Sequence, residues 1–247
     1  MRMTWAAQAR ALRSFEEYTF THALNVSIVS MAMARHAGLP NAAVQVIALG
    51  ALFHDVGKER VPLEIVNKPG KLTAEERESM NRHPAEGADI ILSLEGDVDP
   101  LLPTVAYQHH MGVDLSGYPA PRWKTSPHRA SLIVAVADIF DALRTIRPYR
   151  GALSEAQAIS IILQDLQRGA LERRSVAALL GALGALGAGR RVDHGGRRCG
   201  TVIAPGESDA LQPLIETDEG EIIDMSDPAA PPLFGVLDRE VAVGIAG

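Results

Sequence analysis

The sequence has 247 residues, a net charge of −6, 47% apolar residues and one cysteine, Cys199. A single cysteine excludes a disulfide framework and a zinc–thiolate cluster within the chain, and the acidic balance without a basic stripe argues against polymeric nucleic acid as a partner. No apolar run reaches the length of a membrane span and the N-terminus lacks a signal-peptide core, so we expect no membrane association and a cytoplasmic location.

The first part of the chain is predicted to be helical. Helical patterns cover residues 4–37, as one or two helices, and residues 41–58. Thr73 and Glu76 form a capping-box pattern that predicts the start of another helix, over residues 73–94.

Further helical patterns follow in the middle of the chain. They cover residues 99–111, 128–145 and 154–169, the last with Ser154 as its N-cap. Residues 173–191 are rich in glycine and alanine, which allows two interpretations. They form a helix-packing face, or they are a fraying last helix that becomes a linker, and the second interpretation is favoured.

The composition changes after about residue 191. Short β-type runs alternate with turn signals at Pro205-Gly206 and Glu219-Gly220, a pattern typical of a small hairpin or meander. The predicted fold is therefore mainly α, with a helical domain over residues 1–190 and a small β-rich segment over residues 191–247.

Histidines and aspartates carry the chemical signal. Some stand at predicted helix boundaries or at apolar helix positions: His22, His54, Asp55, His83, His109, His110 and Asp138. A lone histidine is more often a packed or surface residue, and we interpret His36, His128 and His194 in that way. Imidazole and carboxylate suit iron, manganese, zinc or similar divalent ions, and a set of this size is enough for two ions that share one carboxylate.

Several ordered motifs resemble one known family. "HDVGK" at residues 54–58 is similar to the signature of the HD superfamily of metal-dependent phosphohydrolases, and "HHMGVDLSGYP" at 109–119 resembles the HD-GYP subfamily. "ADIFDALRTIRPYR" at 137–150 adds to the resemblance, which covers about residues 20–180. It implies an HD-type helical bundle that hydrolyses the bacterial messenger cyclic di-GMP.

The resemblance also implies a metal site. One ion would be surrounded by His22, His54, Asp55 and Asp138, and the other by Asp55, His83, His109 and His110, with Asp55 as the bridge. The ions would be iron or manganese. Some family members bind a third metal through a glutamate, but Tyr18 occupies that position here, so we expect two.

Asp55 and Lys58 would have catalytic roles. If residues 41–58 are one helix, His54 and Asp55 lie about 100° apart around its axis and Lys58 lies one turn after His54. Lys58 could then bind the substrate phosphate; the alternative is a solvated surface lysine. A hydroxide bridging the metals would attack phosphorus and give pGpG, GMP or both.

Arg147 and Arg150 match family positions that bind substrate phosphate, for which guanidinium groups are suited. The alternative is that they are charges at a helix end that pair with Glu155 or Asp165; phosphate binding is favoured, above all for Arg147.

Gly117, Tyr118 and Pro119 form a tight loop after the paired histidines, for which the resemblance implies substrate binding and contacts with partner proteins, including GGDEF domains. Its role could also be purely structural. Two residues depart from the family pattern: Met111 replaces a glutamate and Leu115 replaces a glycine. These changes put the loop geometry and the turnover rate in doubt.

Three functional hypotheses remain at this point. The first is a cyclic di-GMP phosphodiesterase, which the complete ligand set favours. The second is an HD hydrolase that acts on another nucleotide. The third is a non-catalytic receptor or scaffold, which Met111 and Leu115 favour. The sequence does not determine the oligomeric state, and a homodimer is one arrangement it permits.

Overall fold

The structure is a computed structural model that describes residues 17–120, 125–145, 151–196 and 198–237. Its helices are α1 (Glu17–His36), α2 (Asn41–Leu52), a 3₁₀ helix (Val56–Arg60), α3 (Leu63–Val66), α4 (Ala74–Met80), α5 (His83–Leu92), α6 (Leu101–Gln108), α7 (Arg129–Arg144), α8 (Glu155–Gln167) and α9 (Arg173–Leu183). Its strands are β1 (Arg191–His194), β2 (Arg198–Ala204), β3 (Leu214–Thr217), β4 (Ile222–Asp224) and β5 (Leu233–Val236).

Helix α7 lies at the centre of the bundle. Every residue from Ala130 to Ala137 is buried, so this part of the helix has no face toward solvent. It packs against α1, α6, α8 and α9. A helix that is apolar on all sides is typical of a buried position, and the predicted mainly α fold is confirmed.

Two predicted helix starts are confirmed in detail. At α4, the Thr73 hydroxyl accepts a hydrogen bond from the amide of Glu76, and the Glu76 carboxylate accepts one from the amide of Thr73. Ser154 and Gln157 form the same reciprocal pair at α8. Each pair satisfies backbone donors that the first turn of a helix leaves unpaired.

The predicted helix over residues 41–58 is wrong in its last third. Helix α2 ends at Leu52, Phe53 leaves the helical conformation, and the 3₁₀ helix begins only at Val56. His54 and Asp55 therefore lie on a turn, and the predicted 100° spacing around one helix axis does not apply. The predicted helix over residues 73–94 is likewise two helices, α4 and α5, with a break before His83.

The favoured interpretation of residues 173–191 as a fraying helix is also wrong. Helix α9 buries Val176, Leu179 and Leu180 in the core, and Gly184 ends it in a left-handed conformation. Gly181 faces the ring of His36 so closely that a Cβ atom there would lie 1.9 Å from Nε2. The small residues therefore form a packing face, as the alternative interpretation proposed.

The C-terminal strands form one antiparallel sheet in the order β4-β3-β2-β1-β5. The predicted β-type runs correspond to β2, β3 and β4, and the predicted turn at Glu219-Gly220 joins β3 to β4, with Gly220 at φ +85°. β1 and β5 had not been predicted.

The sheet and the bundle share one hydrophobic core. Val192 of β1, Ile215 of β3 and Val236 of β5 belong to the same buried cluster as Ile159 of α8. Gln167 of α8 also donates a hydrogen bond to the carbonyl of Leu233. The division of the chain into a domain over 1–190 and a segment over 191–247 remains a prediction. None of the described helices has both the length and the apolar composition that a bilayer crossing requires.

Candidate metal centre

The predicted ligands come from separate elements that meet at one point. They lie on α1 (His22), on the turn after α2 (His54, Asp55), at the start of α5 (His83), just after α6 (His109, His110) and on α7 (Asp138). Their ligand atoms form two groups, and within each group all of the atoms lie within 4.8 Å of one another. The structure therefore brings together all of the predicted metal ligands.

Gly57 allows the turn that carries Asp55 to approach α5. A Cβ atom at Gly57 would lie 1.9 Å from the carbonyl oxygen of His83 and 2.5 Å from the amide nitrogen of Gly87. Only glycine permits this close contact between two backbones. The glycine of the "HDVGK" motif thus sets the distance between Asp55 and His83.

Three of the histidines are oriented by backbone carbonyls. The Nδ1 atoms of His54, His83 and His109 lie 2.6, 2.7 and 2.9 Å from the carbonyl oxygens of the residue three positions earlier, which are Ala51, Met80 and Ala106. Each carbonyl belongs to the last turn of a helix, where the amide partner four residues later is missing or displaced. An Nδ1–H donor at each ring leaves the Nε2 lone pair for a metal ion.

Pro84 explains why the carbonyl of Met80 is available to His83. In an uninterrupted helix this carbonyl would accept a hydrogen bond from the amide of residue 84, and proline has no amide hydrogen. The same residue therefore separates α4 from α5 and frees the acceptor that orients His83.

His22 is oriented differently, by a residue that sequence reasoning missed. Its Nδ1 lies 2.6 Å from the carboxylate oxygen Oδ2 of Asp141 on α7, and both side chains are buried. Asp141 follows Asp138 by three positions, so the two carboxylates share one face of α7. This spacing in "ADIFDAL" was the available signal, although it does not point to His22.

Asp55 lies between the two groups of ligands. Its Oδ1 is 3.2 Å from Nε2 of His83 and 3.8 Å from Nε2 of His109. Its Oδ2 is 3.4 Å from Nε2 of His54 and 3.9 Å from Nε2 of His22. The two oxygens of one carboxylate therefore face different sets of imidazoles, which is the arrangement that a bridging ligand requires.

Burial and neighbouring charges shift the ionisation of these groups. Burial raises the pKa of Asp55, but the Lys58 ammonium and His54 outweigh it and hold the pKa well below its usual value. Burial lowers the pKa of His110 to about 4, and burial with neighbouring imidazoles holds the pKa of His109 well below its ordinary value. Near pH 7 these side chains therefore have the forms that bind metals, an ionised carboxylate and neutral imidazoles.

His22 differs from His109 and His110 in the direction of its pKa shift. Burial lowers its pKa, but hydrogen bonds to Asp138 and Asp141 outweigh burial and raise the pKa to about 9. Its Nε2 lies 3.1 Å from Oδ1 of Asp138. A metal ion that binds between these two atoms would take the place of the proton on Nε2.

These residues fit divalent metal ions. In the part of the chain that the structure describes, Nε2 of His54 and Oδ1 of Asp55 are buried without a hydrogen-bond partner. Such atoms are costly unless something satisfies them. Nitrogen and carboxylate oxygen donors suit iron, manganese and zinc alike, so the donor set supports a metal site without selecting the metal.

Lys58 lies at the edge of this cluster. It belongs to the 3₁₀ helix, and its Nζ donates a hydrogen bond of 2.5 Å to Oδ2 of Asp55. The Lys58 side chain is 23% exposed, whereas that of Asp55 is 5% exposed. The ammonium group is therefore anchored at the cluster while it remains accessible to a ligand.

The Gly117-Tyr118-Pro119 loop folds back onto the paired histidines. The Tyr118 amide donates to the carbonyl of His110, and Gly117, at φ +87°, leaves no room for a Cβ atom beside the same carbonyl. The Tyr118 ring centroid lies 4.6 Å from that of His110. Burial and the charges of Asp55 and Asp138 raise the pKa of Tyr118, which keeps its hydroxyl protonated.

The two departures from the family pattern both lie in this loop. Met111 is buried and pairs with Gly117 across the loop, so it packs where a glutamate would place a charge. Leu115 has φ +65°, a left-handed conformation that suits the glycine of the family pattern. The loop still folds back onto His110, although Leu115 has a strained backbone conformation.

Other predicted residues have simpler positions. His128 is the N-cap of α7, His36 packs against Gly181, and His194 is buried in the sheet. Arg147 and Arg150 lie outside the described residues, and so does the side chain of Tyr18.

A family model described as HD domain matches residues 7–171, which is more than half of the chain. The chain belongs to the HD domain family. The resemblance of the sequence motifs to this family is thereby confirmed.

The HD domain has curated relatives named as cyclic dinucleotide phosphodiesterases. It is 37% identical over 148 residues to a cyclic di-GMP phosphodiesterase of Pseudomonas aeruginosa, covering 60% of this chain and 36% of the relative. It is 31% identical over 164 residues to the 3'3'-cGAMP-specific phosphodiesterase 1 of Vibrio cholerae, covering 66% of this chain and 38% of the relative. The chain thus spans well under half the length of these relatives.

A solved structure supports the fold of the HD domain. An HDG"Y"P protein from Bdellovibrio bacteriovorus matches with a TM-score of 0.54 and 24% identity, covering 71% of this chain and 57% of that chain. This likeness shows the fold alone, an HD-type helical bundle.

Proposed function

We propose that this HD domain is a metal-dependent phosphodiesterase that hydrolyses cyclic di-GMP. The observation that carries the proposal is the position of Asp55, whose two oxygens face two separate groups of imidazoles. Each group offers at least three ligand atoms within 4.8 Å of one another. The names of the curated relatives support a cyclic dinucleotide as the substrate class.

Two divalent ions held there would supply Lewis-acid chemistry, since they polarise phosphoryl oxygens and make water acidic enough to attack phosphorus near neutral pH. The chain itself contributes orientation and burial. Carbonyls fix the rings of His54, His83 and His109. Burial excludes competing water and strengthens each electrostatic contact.

Lys58 and the loop residues would contact the substrate. The Lys58 ammonium is partly exposed beside Asp55, so it can neutralise charge that develops on the phosphoryl oxygens. The Tyr118 ring centroid lies 4.6 Å from that of His110 and the residue is half-buried, and we assign it a stacking contact with a nucleobase of the substrate. We assign phosphate binding to Arg147 and Arg150 from the sequence alone.

The test is hydrolysis by Mn²⁺-loaded protein of cyclic di-GMP, 3'3'-cGAMP and bis(p-nitrophenyl) phosphate in parallel. We expect preferential cleavage of cyclic di-GMP, and we expect Asp55→Asn to abolish it because the amide cannot bridge two cations. Asp89→Asn is the matched control, since Asp89 is exposed on α5. Wild-type activity in Asp55→Asn would refute the proposed site.

The same assay separates the alternatives. Preferential cleavage of 3'3'-cGAMP would favour the second hypothesis, for which the Vibrio cholerae relative is the supporting observation. Binding of cyclic di-GMP without cleavage would favour a receptor, for which strain at Leu115 is the supporting observation.

The metal and the partners remain proposals. We propose two ions of iron or manganese, to be identified by elemental analysis after anaerobic purification. GGDEF-domain proteins as partners and a homodimer are further expectations, and light scattering of the purified protein would test the second.

A further inference from the structure

His22 is the one histidine of the cluster, among the described residues, whose Nδ1 lies within hydrogen-bond distance of a side chain from another helix. His54, His83 and His109 all follow helix ends, and each Nδ1 uses a carbonyl of the last helical turn, where the amide four residues later is missing or displaced. His22 lies inside α1, where the carbonyls three and four residues earlier are engaged by helix amides. Its Nδ1 therefore needs an acceptor from elsewhere in the molecule.

Asp141 supplies that acceptor. Its Oδ2 lies 2.6 Å from Nδ1 of His22, with both side chains less than 10% exposed. Thr145 holds Asp141 from one turn later, since its hydroxyl lies 2.8 Å from the Asp141 carbonyl and 3.3 Å from Oδ2. Contacts with His22 and Thr145 thus hold the Asp141 carboxylate.

We propose that Asp141 is a positioning residue that keeps the proton of His22 on Nδ1 and directs Nε2 toward an ion shared with His54 and Asp138. This role rests on the proposed function, because it presumes a metal ion in that group. A carboxylate partner fixes the tautomer of a ligating histidine and makes its other nitrogen a better donor. Asp141 itself would not contact the ion.

The role predicts an effect on one metal group only. Asp141 contacts His22, whereas the group formed by Asp55, His83, His109 and His110 has its own backbone acceptors. Removing the Asp141 carboxylate should weaken the first group by about tenfold to a hundredfold in metal affinity. The second group should keep its affinity.

The experiment measures Mn²⁺ binding to metal-free protein by calorimetry, without substrate. We expect two binding events in the wild type, and in Asp141→Asn and Asp141→Ala one event weakened about tenfold to a hundredfold beside one unchanged. Asp141→Asn preserves the shape of the side chain if the alanine variant fails to fold. Asp89→Asn again serves as the exposed control.

A spectroscopic readout separates positioning from a merely structural role. In the Zn²⁺-loaded protein, a proton shared between imidazole and carboxylate should give a far-downfield signal that is lost in both Asp141→Asn and His22→Gln. Two unchanged Mn²⁺ sites in both Asp141 variants, or equal weakening of both sites, would overturn the inference. A wild-type protein that binds no Mn²⁺ would instead refute the proposed function itself.

Discussion

Replacing Gly57 with alanine should disrupt the metal cluster through its backbone. The new Cβ atom would lie 1.9 Å from the His83 carbonyl oxygen, whereas real Cβ contacts stay beyond 3.0 Å, so the turn and α5 must separate by at least about 1.1 Å. Neither contacted group is a flexible side chain, since the next atom is the amide nitrogen of Gly87. Overpacking of this kind costs about 1–3 kcal/mol of folding free energy.

The displacement would also separate Oδ1 of Asp55 from Nε2 of His83, which lie 3.2 Å apart. A misplacement of about 1 Å can lower catalysis roughly a hundredfold. We therefore expect Gly57→Ala to unfold at a lower urea concentration than the wild type. We also expect it to lose Mn²⁺ binding at the site that contains His83 and most of the hydrolytic activity. Gly151→Ala is the control, because a Cβ atom there meets nothing within 4 Å. Wild-type Mn²⁺ affinity in Gly57→Ala would show that this contact does not set the geometry.

Three further predictions concern the loop and the ionisation of the cluster. Leu115→Gly should raise the free energy of unfolding by up to about 1 kcal/mol in a urea titration, because the left-handed backbone costs leucine more than glycine; an unchanged or lower value would contradict this. Gly117→Ala should cost about 1–3 kcal/mol and weaken Mn²⁺ binding, since its Cβ would lie 2.0 Å from the His110 carbonyl oxygen; Mn²⁺ titration against Gly151→Ala is the measurement. In metal-free protein, His22 has its pKa raised from 6.5 to about 9. Its protonation therefore stabilises the folded state by up to roughly 3 kcal/mol. This stabilisation is complete below pH 6.5 and is lost as the pH rises through 9. His110, with its pKa lowered to about 4, has the opposite sign and destabilises the fold as the pH falls from 6.5 toward 4. The urea midpoint of chelated protein should therefore be highest near pH 6.5, and a midpoint that still rises toward pH 9 would contradict the assignment to His22.

Residue types and their positions on predicted helices indicated a set of ligands large enough for two ions, and the resemblance to the HD family implied how the set divides between them. Histidines and aspartates at helix boundaries are costly to bury alone, so a set of them in ordered motifs predicts that they meet. Capping boxes at Thr73 and Ser154 were equally readable, because both partners lie within three residues of each other. Local rules of this kind need no knowledge of the tertiary structure.

Contacts between distant segments could not be predicted in the same way. His22 and Asp141 are separated by 119 positions, and the residues around each of them give no indication that the two side chains meet. The close approach of Gly57 to α5 is also a contact between distant segments, and no local pattern indicates it. The packing face of α9 was visible in its small residues, but only the neighbouring His36 shows that it is used.

The core that helices and sheet share determines where the chain can be trimmed. The family match ends at residue 171, yet buried side chains of the same cluster continue to Val236. A recombinant fragment cut there would lack Leu179, Leu180 and Ile215, which are fully buried and stabilise the fold by about 1.5–3 kcal/mol each. If so short a fragment were inactive, the cause would be loss of the folded core, and the result would not test the role of Asp55.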